Sequence, residues 1–125
     1  MIDNTLTQRA VAFWAASWID GDRAAARRMI APDAKVEWNL DAPVDDEQVL
    51  ATLGRLTTGA RSVTVVSRVC AGDRAMVVYD CETAHTNLRL VEFLTVAQGR
   101  IVELRQVHDP VALGRHLLGL VTAQI

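Results

Sequence analysis

The stretch NLRLVEFLTVAQGRIVELRQVHD, residues 87–109, decides the fold. Over residues 87–97, Leu88, Leu90, Leu94 and Val96 fall on one face, and Asn87, Arg89, Val91, Phe93 and Thr95 on the other. A two-residue period with one apolar face is a strand that covers a core on one side. A turn at Gln98-Gly99-Arg100 follows, and the next run places Val102, Leu104, Gln106 and His108 on one face. Two such runs around a short glycine-containing turn read as a β-hairpin. The leucine face has one polar member, Glu92. A carboxylate there is expensive unless it is paired, hydrogen-bonded or protonated. If the two apolar faces join, the hairpin sends Glu92, Gln106 and His108 into one interior. A slip of one residue would set Glu92 against Arg105 instead of Gln106, because register decides which side chains meet.

The bulk properties bound the rest. A chain of 125 residues suits one domain, with enough surface buried for a true core. Half the residues are hydrophobic and the net charge is −2, so disorder is disfavoured and no basic stripe for nucleic acid is present. No apolar run has membrane-spanning length, and the first residues lack a charged-then-apolar leader pattern, so a cytoplasmic protein is expected. Twelve of the thirteen basic residues are Arg, with Lys35 alone, a bias that accompanies GC-rich genomes. The two cysteines, Cys70 and Cys81, flank the turn Ala71-Gly72-Asp73 out of register with each other, which disfavours a disulfide. Two cysteines and three scattered histidines give no zinc spacing, and neither metal nor organic cofactor is expected.

Taken in order, Thr5-Leu6-Thr7-Gln8 fits a capping box with Thr5 as N-cap, opening a helix to about Ile19. Val11, Trp14, Ala15 and Trp18 share its inner face. Gly21 and Asp22 end it and cap a short helix, about Arg23–Ile30, that stops before Pro32. A strand follows at Ala34–Leu40, with Val36, Trp38 and Leu40 on one side and Asn39 facing outward. The break Asp41-Ala42-Pro43 leads to a helix, about Glu47–Thr57, capped by Asp45 or Asp46 and burying Val49, Leu50, Leu53 and Leu56. Strands at Ser62–Cys70 and Arg74–His85 come next. The second carries Ala75, Val77, Tyr79, Cys81 and Thr83 on one face, and Met76, Val78, Asp80 and Glu82 on the other. After the hairpin, Asp109-Pro110 starts a final helix reaching about Leu118, with Asp109 read as its N-cap. Early helices and a late antiparallel meander argue for an α+β layer, with helices on the concave face of a curved sheet around an apolar cup.

Four motifs in this order resemble the NTF2-like superfamily and, within it, the SnoaL-like proteins. They are Trp18-Ile19-Asp20-Gly21-Asp22, the run Ile30-Ala31-Pro32-Asp33-Ala34-Lys35-Val36-Glu37-Trp38, Gln98-Gly99-Arg100-Ile101-Val102-Glu103, and Arg105-Gln106-Val107-His108-Asp109-Pro110. The resemblance spans nearly the whole chain. It implies a cone-shaped α+β fold with a mostly antiparallel curved sheet, a central apolar pocket, and pairing of two copies through the open sheet face. It does not imply one activity, because this fold hosts isomerases, cyclases, hydrolases, dehydratases and binders. Limonene epoxide hydrolases use an Arg and two Asp, and the matching positions here carry Cys81, Thr83 and Gln106. Ketosteroid isomerases use a Tyr and two Asp. The matching positions carry Trp14, Trp38 and, near the third, Val91 or Glu92. No residue matches the acid/base Asp of the SnoaL-type cyclases, since Asp109 follows the strand.

Glu92 and His108 are therefore the candidate catalytic residues. An acid in an apolar cup has a raised pKa and suits general acid/base work. The competing reading has Glu92 paired with Arg105 or placed near the mouth. His108 is either a proton shuttle or a packing histidine bonded to a carbonyl. Trp14, Trp18, Trp38, Tyr79 and Leu90 are the candidate walls of a substrate site, with Gln106 orienting the ligand; the aromatics are equally explained as core. The expected ligand is a small hydrophobic, oxygenated molecule, and the expected activity is isomerisation or polyketide-type cyclisation. The alternative is a non-catalytic ligand-binding or dimerisation module. A homodimer is expected, with nucleic acid and membranes excluded as partners.

Overall fold

The computed structural model describes residues 4–39, 45–84 and 86–123, with side chains to residue 119. The expectations for Leu40, the break at Asp41-Ala42-Pro43 and His85 lie outside the described residues. The elements run α1 Thr5–Ile19, α2 Arg23–Met29, β1 Ile30–Trp38, α3 Asp46–Thr58, β2 Ala60–Ala71, β3 Arg74–Thr83, β4 Asn87–Ala97, β5 Arg100–His108 and α4 Pro110–Ala123. The strands form one sheet in the order β1-β5-β4-β3-β2. β2 through β5 pair antiparallel as a meander, and β1 closes the edge parallel to β5. The architecture is the expected α+β cone: a curved, mostly antiparallel sheet with helices on its inner face.

The alternation read from the hairpin is observed. Leu88, Leu90, Glu92, Leu94 and Val96 are all buried, while their neighbours are half-buried or exposed. Ala75, Val77, Tyr79, Cys81 and Thr83 of β3 face the same interior. α1 lays Ala10, Val11, Trp14, Ala15 and Trp18 over this surface, and α3 adds Val49, Leu50, Leu53 and Leu56. The β4–β5 turn is a two-residue loop, with Gln98 and Gly99 both at positive φ (53° and 78°). That is the turn whose twist matches a hairpin, and it favours glycine at its second position.

One inner position of β5 differs from expectation. Ile101, not Val102, is buried opposite Val96, because the ladder shifts between Thr95 and Val96. One extra residue in the ladder turns the following side chains over. Beyond the bulge, Leu104, Gln106 and His108 face inward as read. β2 has register shifts next to Arg61 and Val66, and such irregularities bend and twist a sheet.

The helix starts show where local rules hold. Asp22 Oδ1 accepts from Ala25 N at 3.1 Å, and Asp45 Oδ1 from Gln48 N at 2.8 Å. Asp109 Oδ1 accepts from Val111 N at 2.9 Å, as a cap should. The start of α1 differs: Thr5 is the first helical residue and Asn4 is the cap position, without a side-chain cap bond. Asn4 instead accepts from Gly72 N at 2.7 Å and donates to Cys70 O at 3.3 Å, and Thr7 Oγ1 donates to Gly72 O at 2.7 Å. A tertiary clamp on the β2–β3 turn takes the groups a local cap would have used. β1 starts at Ile30, earlier than expected, and runs through Pro32. Its ladder with β5 is irregular between Ile30 and Lys35, the kind of edge position where proline is tolerated. Cys70 and Cys81 are both free thiols. No described helix is long and apolar enough to cross a membrane.

Candidate functional site

The register places Glu92 directly opposite Gln106, and Phe93 opposite Arg105. Arg105 therefore points to the outer face, where it meets Glu103 at 2.8 Å and Glu37 at 3.7 Å. The reading that Arg105 clamps Glu92 is corrected by this register. Asp80 and Glu82 also lie on the outer face, as read, and Asp80 takes a two-point contact from Arg89 (2.7 and 3.0 Å).

Glu92 is 1% exposed. Its Oε1 accepts from Tyr79 Oη at 2.5 Å and from Trp14 Nε1 at 3.1 Å. Three elements build this contact: β4 supplies the acid, β3 the phenol one strand away, and α1 the indole from above. The Trp18 ring packs edge-on against Tyr79, with centroids 4.8 Å apart. Trp18 Nε1 is near enough to favour the ionised carboxyl but makes no hydrogen bond. Glu92 Oε2 and Gln106 Nε2 likewise have no hydrogen-bond partner among the described residues.

Burial pushes the Glu92 carboxyl up from its ordinary 4.5 to about 7, against the opposing pull of Tyr79, Trp14 and Trp18. Desolvation wins because the charged form loses all its water, and N–H and O–H donors restore only part of that loss. At neutral pH the group is thus divided between acid and base. Burial, and then the charge of Glu92, push the Tyr79 phenol far above its usual range, so it remains a donor. The buried Cys81 thiol is pushed up to about 12 and stays protonated, which removes it as a nucleophile.

The second group extends along β5. His108 Nδ1 lies 2.7 Å from Gln106 Oε1, and the ring sits 5.1 Å from that of half-buried Trp38. With Nδ1–H donating, the amide oxygen accepts and Nε2 of Gln106 is left facing the interior. Burial holds the imidazole below its ordinary 6.5, although Asp109 pulls the other way. Leu90 stands opposite His108 in the ladder and is fully buried. All eight sequence-derived candidates therefore lie on one connected surface. Glu92, Tyr79, Trp14 and Trp18 cluster at its centre, and Gln106, His108, Trp38 and Leu90 run toward the end of β1.

Asn39 corrects the reading that placed it outside. At φ 55° it ends β1, donates from N to Gln106 O at 2.6 Å, and accepts on Oδ1 from His108 N at 3.1 Å. It positions the backbone of both polar β5 residues. The available signal was its residue type, since Asn tolerates the left-handed region at a strand end. His116 on α4 was not singled out by sequence. It is fully buried, with Nε2 3.1 Å from Leu56 O.

The arrangement can hold and transfer one proton at Glu92 inside an apolar enclosure. A cavity of about 120 Å³ reaches Trp18 from between α1, α2 and α3, lined also by Ala26, Leu50 and Leu53. Two larger concavities, about 560 and 460 Å³, lie along the sheet at Asp80–Arg89 and at Phe93–Arg105.

A protein from Kribbella flavida superposes with a TM-score of 0.76 at 21% identity, covering 91% of this chain and 95% of that one. A steroid delta-isomerase from Pseudomonas aeruginosa superposes with a TM-score of 0.74 at 16% identity, covering 98% and 96%. IdmH of Streptomyces antibioticus, described as a candidate polyketide cyclase, gives 0.69 at 22% identity over 88% and 96%. At these identities the likeness is one of fold. No curated protein matches the sequence significantly. The family model for the SnoaL-like domain matches residues 10–104, from the inner face of α1 through Leu104 of β5. On that match and on its NTF2-like cone, the chain belongs to the SnoaL-like domain family.

Proposed function

We propose that the protein is a cofactor-independent acid/base enzyme acting on a small hydrophobic, oxygenated molecule, with Glu92 as the proton-transfer group. The observation that carries this reading is the Glu92 carboxyl itself: enclosed, held on Oε1 by Tyr79 and Trp14, and without a hydrogen-bond partner on Oε2 among the described residues. A general acid/base works best when its pKa lies near the working pH, and burial brings this one to about 7. Ionised Glu92 takes a proton from carbon beside a carbonyl. The resulting enolate is either reprotonated at another carbon by the protonated Glu92, giving isomerisation, or attacks a second carbonyl whose oxygen takes that proton, giving cyclisation. Gln106 orients the substrate oxygen, neutral His108 relays protons, and Trp14, Trp18, Trp38, Tyr79 and Leu90 form the apolar walls. Epoxide opening fits less well, because Cys81, Thr83 and Gln106 stand where that chemistry needs an Arg and two acids. The test begins with thermal-shift screening of polyketide-like and steroid-like compounds. On the substrate so identified, Glu92→Gln is expected to abolish turnover while binding persists; full turnover in this variant removes the mechanism.

A second reading, a non-catalytic binding or dimerisation module, draws support from the outer sheet face. Val78, Val91 and Val107 form one cross-strand row, and Val69, Met76 and Phe93 another. Phe93 is 45% exposed and Val69 55%. Apolar rows of this kind fit a partner surface, and we assign them to a homodimer, which is compatible with either reading. A monomeric mass in solution at micromolar concentration contradicts the assignment. The free thiols fit a reducing, cytoplasmic setting.

A further inference from the structure

Two residues other than glycine hold a left-handed φ among the described residues, Gln98 at 53° and Asn39 at 55°. Gln98 belongs to the two-residue hairpin loop, which requires that conformation. Asn39 belongs to no hairpin. It follows β1, whose ladder partner is the parallel β5, and stands one residue past the Trp38–Gln106 pair. A strained backbone that no hairpin requires points to what the residue holds in place. Asn39 grips β5 twice: its backbone N donates to Gln106 O at 2.6 Å, and its Oδ1 accepts from His108 N at 3.1 Å. The backbone on both sides of Val107 is thereby fixed, and with it the directions of the Gln106 and His108 side chains.

Those two side chains are two residues apart on one strand and face the same interior. Side chains so spaced leave the backbone roughly 7 Å apart, so they touch only by leaning together. Here they do: His108 Nδ1 lies 2.7 Å from Gln106 Oε1. Trp38, the residue before Asn39, backs the imidazole with ring centroids 5.1 Å apart. The ring is therefore held through its backbone, by an amide and by an aromatic wall. An amide oxygen has only lone pairs to offer, so the hydrogen in the 2.7 Å contact belongs to Nδ1. A neutral ring protonated on Nδ1 carries its free lone pair on Nε2. The other tautomer would set two lone pairs against each other across the same contact. His108 is 8% exposed and Glu92 1%, so the ring is the member of the polar group that stands nearer to solvent.

We propose that Asn39 is a positioning residue that holds His108 as the Nδ1–H tautomer and so leaves Nε2 as the free proton acceptor of the ring. A proton taken on Nε2 gives the imidazolium, whose Nδ1–H stays on Gln106 Oε1, and the same proton leaves again from Nε2. Neither the ring nor the amide has to turn over between the two steps. The service of Nε2 in turnover rests on the acid/base reading of Glu92; the tautomer and its dependence on Asn39 do not.

The test is ¹⁵N NMR of the histidine ring nitrogens in the full chain at pH 8, with the His108 signals identified by their loss in His108→Gln. The native chain is expected to show Nδ1 protonated and Nε2 bare. An Nε2–H ring in the native chain overturns the proposal without recourse to any variant. Asn39→Gly keeps the left-handed φ at no strain and removes Oδ1. It is expected to raise the share of the Nε2–H form about fivefold, the worth of one ordinary hydrogen bond, because the ring is no longer held against the amide. Asn39→Ser, whose side chain is too short to reach, takes its place if that variant does not fold, with the same expectation. Asn39→Asp keeps the acceptor and is expected to restore the native tautomer. An unchanged tautomer in Asn39→Gly means that Asn39 only ends a strand, and overturns the proposal. The expected tautomers together with full turnover in Glu92→Gln support the positioning role and remove the acid/base reading. A native Nε2–H ring together with lost turnover in Glu92→Gln overturns the positioning role and leaves the acid/base reading standing.

Discussion

Replacing Glu92 by Gln tests the electrostatics of the core without any knowledge of the substrate. The amide keeps the shape of the acid, and its oxygen can still accept from Tyr79 Oη and Trp14 Nε1. What it loses is the ability to ionise. In the native chain burial raises the carboxyl from 4.5 to about 7, so the folded protein holds this proton more tightly than the unfolded chain does. The stability from holding it is fully present below about pH 4.5 and is lost as pH rises through about 7. Each pH unit in that window is worth about 1.4 kcal/mol, so the whole window amounts to about 3 kcal/mol. Other carboxylates titrate in both proteins and cancel in the difference. Urea unfolding at pH 4.5, 6, 7 and 8 should therefore show Glu92→Gln gaining on the native protein by about 3 kcal/mol from the lowest to the highest pH. A stability difference that stays constant across these pH values refutes the argument, because it means Glu92 is ionised throughout.

Tyr79→Phe removes the 2.5 Å donor that favours the ionised carboxyl, so the Glu92 titration moves above about 7, seen directly by ¹³C NMR of its carboxyl carbon. The same variant should lose about 1 kcal/mol at pH 5 and more at pH 8, where the charge has lost a partner. Asp109→Ala removes the oxygen that accepts from Val111 N and should cost ~1 kcal/mol in urea unfolding, while leaving the Glu92 titration where it was. A shifted Glu92 titration in that variant would return Asp109 to the site. Phe93→Arg places a charge in the outer apolar row and should convert a dimer to a monomer by light scattering, with the fold retained by circular dichroism.

Much of this molecule was legible because strand alternation is a local property. A period of two assigns Leu88, Leu90, Glu92, Leu94 and Val96 to one side whatever the strand pairs with, and the structure buries all five. Asp22, Asp45 and Asp109 cap helices because each needs only a backbone N–H two or three residues ahead. Asn4 departed from the local rule because a turn 66 or more residues away competes for its side chain.

The surroundings of Glu92 were of the second kind. The hairpin pattern alone left two partners open, Gln106 and Arg105. Ladder register decided between them, and it places Arg105 among Glu37 and Glu103 on the outer face. That outer pairing depends on β1 joining β5 in parallel, a contact with no short-range signature. The bulge that swapped Ile101 for Val102 is equally a property of two strands and not of one. By itself the sequence determined that a carboxyl would stand on the apolar face of this hairpin, because side-chain direction follows the backbone period. Only the tertiary structure decided its chemistry. The pKa of a buried acid depends on desolvation and on the donors that reach it, and here those donors arrive from α1 and β3.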